Sequence, residues 1–430
     1  VHLDGYRNIL GAALPIMAAA GYGRILGVTS GSGWRPADTG AYGCAKRAVA
    51  ALTWQLGRHA PPGVVVNAMS PIAVTRMVTA ALGRTRPERR GTPEAAATGG
   101  LSLGSMPAPE QLGPSGGHLV GDEFSWCSGK VFFAAGSELA VIDEPRLLEV
   151  VRTDDVTSLP HALEAVTPRA LVPAEASQAS NGGGNPRFGS IFDEPLVADD
   201  LPAPIVRSCA VVADSQEVAD AVTTALGARG VKITIVPPGR GVAGFEEASS
   251  ALASVGDRDG PVDAVVVALG GRPLATDETG DWQQCLAEHG GIVEGIHADA
   301  SWARAATDQS AQSGRPLRLV TVTDASTAGG RSRGQASAQL ARAARGATDG
   351  RVTAFAVSVE TGNQPTTAAV GDLIAHLLCS PATTDLSGAE LAAGTGWIGL
   401  RSHPRPSVCV TFGGPAVPAW LDDVLHDALA

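Results

Sequence analysis

Gly23-Arg24-Ile25-Leu26-Gly27-Val28-Thr29-Ser30 reads as a buried strand that runs into a serine-rich turn, Ser30-Gly31-Ser32-Gly33. A helix follows, opened by Tyr42-Gly43-Cys44-Ala45-Lys46. The chain holds only three tyrosines and three lysines. A chance pair at this spacing has a probability of about 2 in 100. Four residues apart, Tyr42 and Lys46 share one helix face. An ammonium beside a phenol favours the phenolate and draws the tyrosine toward neutral pKa. A phenol tuned in this way can pass a proton to or from an alcohol or carbonyl oxygen.

The alternation of strand and helix extends outward from this stretch. Residues 1–22 carry Leu3, Tyr6, Leu10, Leu14 and Met17 at helical spacing. The helix over 42–59 is stopped by Pro61-Pro62-Gly63, and buried strands are predicted over 64–69 and 130–135. Residues 78–118 lack periodicity, and 119–126 read as a short helical piece. Residues 152–204 read as a connector with one helix near 158–166 and a flexible break at Asn181-Gly182-Gly183-Gly184-Asn185-Pro186. Beyond 205, strands over 208–213, 232–236 and 262–269 alternate with helices over 215–229 and 245–255. That alternation implies βαβ units and parallel sheets.

The strand and serine turn, the Tyr42–Lys46 pair and Asn67-Ala68-Met69-Ser70-Pro71 together resemble the short-chain dehydrogenase/reductase family. The resemblance implies an α/β, Rossmann-like fold and oxidation of a secondary alcohol or reduction of a ketone with NAD or NADP. It casts Ser30 as the residue orienting the substrate oxygen, with Ser32 a weaker candidate for that role. Tyr42 is implied as the general acid/base. Lys46 is implied as the group that tunes Tyr42 and holds the nicotinamide ribose. The backbone of Pro71, Ile72 and Val74 and the side chain of Thr75 are implied to sit beside the nicotinamide. His2 stands where most of the family has an asparagine supporting a proton-relay water. Histidine there, and Pro71-Ile72-Ala73-Val74-Thr75-Arg76-Met77 without glycine after the proline, resemble the hydroxyacyl-CoA dehydrogenase part of peroxisomal multifunctional enzymes. That implies a 3-hydroxyacyl-CoA substrate and a place in fatty acid metabolism. An imidazole can relay protons near neutral pH; a helix-packing histidine is the alternative reading. In the family, the position of residues 78–118 holds a substrate lid.

Composition bounds the rest. A chain of 430 residues has room for two or three domains. Its net charge of −11 argues against nucleic acid, and the one basic cluster, Arg84 to Arg90, reads as a loop. Six cysteines without a C-x-x-C pair suggest reduced thiols in a cytoplasmic protein. Nine histidines without H-x-x-x-H spacing give no metal site. No apolar run reaches the length of a membrane helix. Acidic doublets at Asp154-Asp155, Asp199-Asp200 and Asp422-Asp423 read as solvated surface.

The segment beyond 205 also repeats the first. Ile296-His297-Ala298-Asp299 aligns with Val1-His2-Leu3-Asp4, Arg318-Leu319-Val320 with Arg24-Ile25-Leu26, and the helix from Gln335 with that from Tyr42. Ser387-Gly388 aligns with Ser128-Gly129. On this alignment Gln335 replaces Tyr42, Gln339 replaces Lys46 and Asp324 replaces Ser30, so proton transfer by the family's route is lost. The organisation expected is a catalytic half-domain at 1–151, a linker at 152–204 and a degenerate Rossmann-like repeat at 205–430. The repeat's helices near 292–312 and 334–346 would pair with those at 1–20 and 42–59 as an intrachain pseudo-dimer, which could oligomerise further. Nothing in residues 1–204 supplies a G-x-x-x-G-x-G after a strand, and Gly31-Ser32-Gly33, which follows one, belongs to the serine turn. Gly239-Arg240-Gly241 and Gly270-Gly271 are isolated. The first unit therefore reads as N-terminally truncated, and the chain as given as weak in coenzyme binding and turnover. The rival readings are a non-catalytic scaffold or pairing module, and acyl-group binding without redox chemistry.

Overall fold

Alanine-rich stretches become helices and β-branched runs become strands, as propensity and burial favour. The computed structural model describes residues 1–35, 40–76, 107–153, 158–169, 198–238, 244–270, 281–360, 367–414 and 416–429. The first elements are α1 (His2–Ala20), β1 (Gly23–Val28), α2 (Gly40–Arg58), β2 (Val64–Pro71), α3 (Gly113–His118), β3 (Val131–Ala135), β4 (Glu138–Asp143), β5 (Leu147–Arg152) and α4 (Leu159–Val166). Then follow β6 (Ser208–Ala213), α5 (Gln216–Ala228), β7 (Lys232–Val236), α6 (Phe245–Asp259), β8 (Ala264–Ala268), α7 (Asp281–Glu288) and α8 (Ile292–Ser313). The chain continues through β9 (Leu317–Asp324), α9 (Ala328–Ala347), β10 (Val352–Val359), α10 (Thr367–Cys379), β11 (Glu390–Gly394), β12 (Trp397–Arg401), β13 (Arg405–Thr411) and α11 (Leu421–Leu429). No helix among the described residues is long and apolar enough to cross a membrane.

The α/β class expected from the sequence is the class observed, and most ladders are parallel. One sheet has the order β1-β2-β3-β4-β13, the other β5-β12-β11-β10-β9-β8-β6-β7. Two strands cross the division expected at 151 and 205. β5 leaves the first half and pairs antiparallel with β12; β13 leaves the second half and pairs antiparallel with β4. Each half therefore completes the other's sheet. Trp397 begins β12 and lies opposite both Gly394 and Arg152. The piece expected at 119–126 holds only a single 3₁₀ turn at Asp122–Phe124, the helix α3 having ended at His118. Met77, most of the lid region with Arg84 to Arg90, Asp154-Asp155, the break at 181–186, Gly239-Arg240-Gly241 and Gly271 lie outside the described residues.

The ladders also give the register between the two halves. Gly23 lies opposite Val64 in β1–β2, and Leu317 opposite Val352 in β9–β10. Val66 N donates to Ser128 Oγ at 3.2 Å while Gly129 N donates to Val66 O; Ala354 N donates to Ser387 Oγ at 3.1 Å while Gly388 N donates to Ala354 O. The two serine–glycine pairs do the same job. However, α9 starts 288 residues after α2 and ends 289 after it. The offset of 293 used for Gln335 and Gln339 is therefore too large. Shortening of the β9–α9 junction relative to the β1–α2 junction is the reason. At the helix offsets of 288 and 289, Tyr42 comes opposite Gly330 or Arg331 and Lys46 opposite Gly334 or Gln335.

α2 packs along α9, and polar groups in the seam are matched across it. Arg47 is fully buried, and its guanidinium donates to Gln335 Oε1 at 3.0 and 2.8 Å. Glu390 lies 3.7 Å away and also accepts from Gln335 Nε2 and Ser358 Oγ. Gln55 Nε2 donates to Ser332 Oγ at 2.9 Å, and His289 Nε2 stands 2.7 Å from the same hydroxyl. His289 Nδ1 faces Cys285 O at 2.6 Å, which places the ring hydrogen on Nδ1 because a carbonyl only accepts.

Removing one partner of a buried ion pair strands the other charge. Glu390→Leu should lower the unfolding free energy by about 3 kcal/mol or more, read from urea denaturation. Burial pushes the His289 imidazole down to about 4 from its ordinary 6.5. The unfolded chain then binds the extra proton between those values, so stability is full above pH 6.5 and falls toward pH 4. The loss attributable to His289 is about 3 kcal/mol. Denaturation midpoints measured across that window should drop, and His289→Gln should flatten the drop.

Candidate active site

The carboxyl ends of β1 and β2 and the amino-terminal half of α2 meet at one place. Val28, the last residue of β1, lies opposite Met69, two residues before the end of β2. Lys46 lies on α2 with 7% of its surface exposed, and its Nζ donates to Val28 O at 2.8 Å. Thr29 Oγ1 donates to Lys46 O at 2.6 Å. The strand end thus grips Lys46 through both side chain and main chain. Lys46 Nζ stands 5.8 Å from the centroid of the Tyr42 ring. Tyr42 is 37% exposed, so one face of the phenol is open to an incoming molecule.

His2, from the first turn of α1, meets Tyr42 edge to face with ring centroids 5.3 Å apart. Desolvation first, then the Lys46 ammonium and the amino terminus, hold its imidazole below the ordinary value. Burial likewise lowers Lys46. His2, Tyr42 and Lys46 therefore lie in one cluster, of which spacing alone predicted only the Tyr42–Lys46 pair. Ser30 caps a 3₁₀ turn at Gly31–Gly33, and its Oγ accepts from Ser32 N at 3.3 Å. It is tied to the cluster through its neighbours Val28 and Thr29. The hydroxyl hydrogen of Ser30 remains to be donated elsewhere.

Two glycines make the turn possible. A side chain at Gly27 would strike the Tyr6 hydroxyl at 2.6 Å, and one at Gly33 would strike Arg47 N at 2.8 Å. Gly27 and Gly33 end a G-x-x-x-G-x-G run, but Gly27 lies inside β1 and serves packing, not a phosphate loop.

Pro71 ends β2, and Ile72, Val74 and Thr75 follow it beyond the same sheet edge. Ile72 N donates to Ala134 O at 2.9 Å and Val74 N to Pro107 O at 2.8 Å. These two amides are committed within the protein, so a nicotinamide here would meet other groups of the segment. Val28 and Val74, each 51% exposed, offer apolar surface. Lys46 Nζ has three hydrogens, of which Val28 O takes one, leaving donors for ribose hydroxyls. The residues fit the nicotinamide-ribose end of a coenzyme. Among the described residues no strand–helix junction forms a glycine cradle for a pyrophosphate. Asp214 and Ser215 occupy the β6–α5 junction, and Asp214 Oδ1 already accepts from Gly270 N at 2.8 Å.

Residues the sequence reading passed over are Thr29, Arg47 and the carbonyl of Val28. Arg47 follows Lys46 directly, and a charged residue within an otherwise apolar run was the available signal. Its partners, hundreds of positions away, left no local trace.

Residues 1–87 match the family model described as short chain dehydrogenase. A search of curated proteins found no match. Among solved structures, the N-domain of a bacterial malonyl-CoA reductase, described as determined with NADP, matches with a TM-score of 0.57 and 17% identity, covering 92% of this chain and 75% of that one. A short chain dehydrogenase from Mycobacterium avium matches with a TM-score of 0.42 and 16% identity, over 53% of this chain and 95% of that one. Acetoin dehydrogenase YohF from Salmonella typhimurium matches at 0.34 and 14% over 45% and 97%. The first of these shares the fold with the present chain along most of its length.

The Lys46 ammonium disfavours a second positive charge nearby. Lys46→Met should therefore raise the His2 pKa, followed by NMR titration of the imidazole protons. An unchanged or lower value would refute the electrostatic coupling of the two groups.

Proposed function

We propose that this chain is a short-chain dehydrogenase-type oxidoreductase that interconverts a secondary alcohol and a ketone with NAD or NADP. The observation that carries this reading is the Lys46 ammonium, fixed on Val28 O and set beside the partly open Tyr42 ring. The match of residues 1–87 to the short chain dehydrogenase model supports it.

In the oxidising direction Tyr42 Oη accepts the alcohol proton, and in the reducing direction it returns one to the developing alkoxide. Lys46 stabilises the phenolate formed on the way. Ser30 donates its hydroxyl hydrogen to the same substrate oxygen and orients it. His2, held neutral beside Tyr42, accepts and passes on the proton toward solvent. The coenzyme, when bound, accepts or supplies the hydride at the carbinol carbon. Lys46 would hold its ribose, with Tyr42 and the Pro71–Ile72–Val74–Thr75 segment beside the nicotinamide. A 3-hydroxyacyl-CoA-type substrate is favoured by the resemblance at His2 and around Pro71.

The second half, 205–430, is read as a degenerate repeat without hydride chemistry, acting as a built-in partner. The reciprocal exchange of β5 and β13 and the α2–α9 seam support the pseudo-dimer. Tyr42→Phe should lower kcat by about a hundredfold or more while coenzyme affinity, measured by fluorescence quenching, changes little. Unchanged turnover in that variant would refute the assignment.

A further inference from the structure

The serine turn is held by hydrogen bonds of its own and by donors from far along the chain. Its internal bonds are Ser32 N to Ser30 Oγ, Gly33 N to Ser30 O at 2.9 Å, Trp34 N to Gly31 O at 3.2 Å and Arg35 N to Gly31 O at 3.0 Å. The turn is a single 3₁₀ turn, and the carbonyls of Ser32, Trp34 and Arg35 each accept a hydrogen bond from a side chain of the distant second half. Buried carbonyls need donors. Helix α9, roughly three hundred residues downstream, supplies them.

Gln339 Nε2 donates to Ser32 O at 3.0 Å and to Arg35 O at 2.8 Å. Arg342 Nη1 donates to Trp34 O. Both side chains are buried, at 0% and 1% exposure. The orientation of the Gln339 amide is fixed by chemistry: its Oε1 faces Arg47 Nη1 at 3.5 Å, which only donates, and its Nε2 faces carbonyls, which only accept. From the other side, Gly33 lies directly on the Arg47 backbone. The turn is clamped between α2 and α9.

We infer that Gln339 and Arg342 are positioning residues for Ser30, acting through the carbonyls of the turn from the other half of the chain. Ser32 N is the donor that orients Ser30 Oγ, and Gln339 holds the carbonyl of that same residue. The glutamine that reads as a lost catalytic lysine is a donor serving the first half's site. The inference rests on the oxidoreductase reading only for its effect on turnover; the brace itself stands on geometry.

The test uses the full chain with Gln339→Leu, Arg342→Leu and Arg342→Lys. Amide hydrogen exchange over residues 30–35 should accelerate by about tenfold or more in the two leucine variants, the effect of losing one or two hydrogen bonds. Exchange in β9 and β10 should stay as in the parent. Arg342→Lys keeps a donor within reach and should restore most of the protection. With a substrate that the parent turns over, the leucine variants should lose about tenfold or more in kcat with coenzyme KM within about twofold. Unchanged exchange over 30–35 in both leucine variants would overturn the brace. So would acceleration spread over β9 and β10 in all three variants, since that marks a fold-holding role. Faster local exchange with unchanged kcat in an active parent would overturn the positioning of Ser30. A parent without turnover on alcohols or ketones would refute the oxidoreductase reading, and the exchange result alone would then decide the brace.

Discussion

The buried guanidinium of Arg47 is the constraint around which the two halves are organised. A charge taken out of water must be paired and its hydrogens satisfied. None of the partners named for it comes from its own half. Gln335 accepts two of its hydrogens, Glu390 supplies the opposing carboxylate, and His403 Nδ1 lies at 3.2 Å. Glu390 is in turn held by Gln335, Ser358 and Arg401. Such a pair adds little net stability compared with apolar packing, but it tolerates only one arrangement. It therefore sets how α2 lies on α9, and Arg47 is the residue next to Lys46.

The same seam is repeated in other chemistry. Gln55, Ser332 and His289 run hydrogen bonds from α2 through α9 to α7. Asp299 and Arg333 form a second enclosed pair between α8 and α9 at 2.8 Å. β5 and β13 then close each half's sheet with a strand from the other. The face of α2 that carries Tyr42 and Lys46 thus belongs to a helix whose opposite side is committed to a second body. The serine turn at its amino end shares that dependence, since its carbonyls are met by Gln339 and Arg342.

How much of this could be read in advance depended on sequence distance. Tyr42 and Lys46 are one helical turn apart, so a local rule put them together. The strand before Ser30 and the strand ending at Pro71 were visible as short apolar runs flanked by turn residues. The parallel α/β class followed from alternation. β5 and β13 were not assignable, because an alternating or apolar run carries no label for the strand it will pair with. Gln339 was read through its missing pKa, which says nothing of the amide's donors. The helix register between the halves was misjudged because a shortened junction moved α9 by about one and a half turns relative to β9.

The sequence by itself determined the strand–turn–helix unit and the placing of Tyr42 and Lys46 one helical turn apart. Those features arise from backbone propensity and from side chains a few residues apart. Only the tertiary structure decided which strand completes which sheet, where the charge on Arg47 finds its counterion, and what meets the carbonyls of the serine turn. Each of these is a matching of buried polar groups across hundreds of residues. Such matching is selected by the free energy of the assembled whole, and no short window of the chain contains both partners.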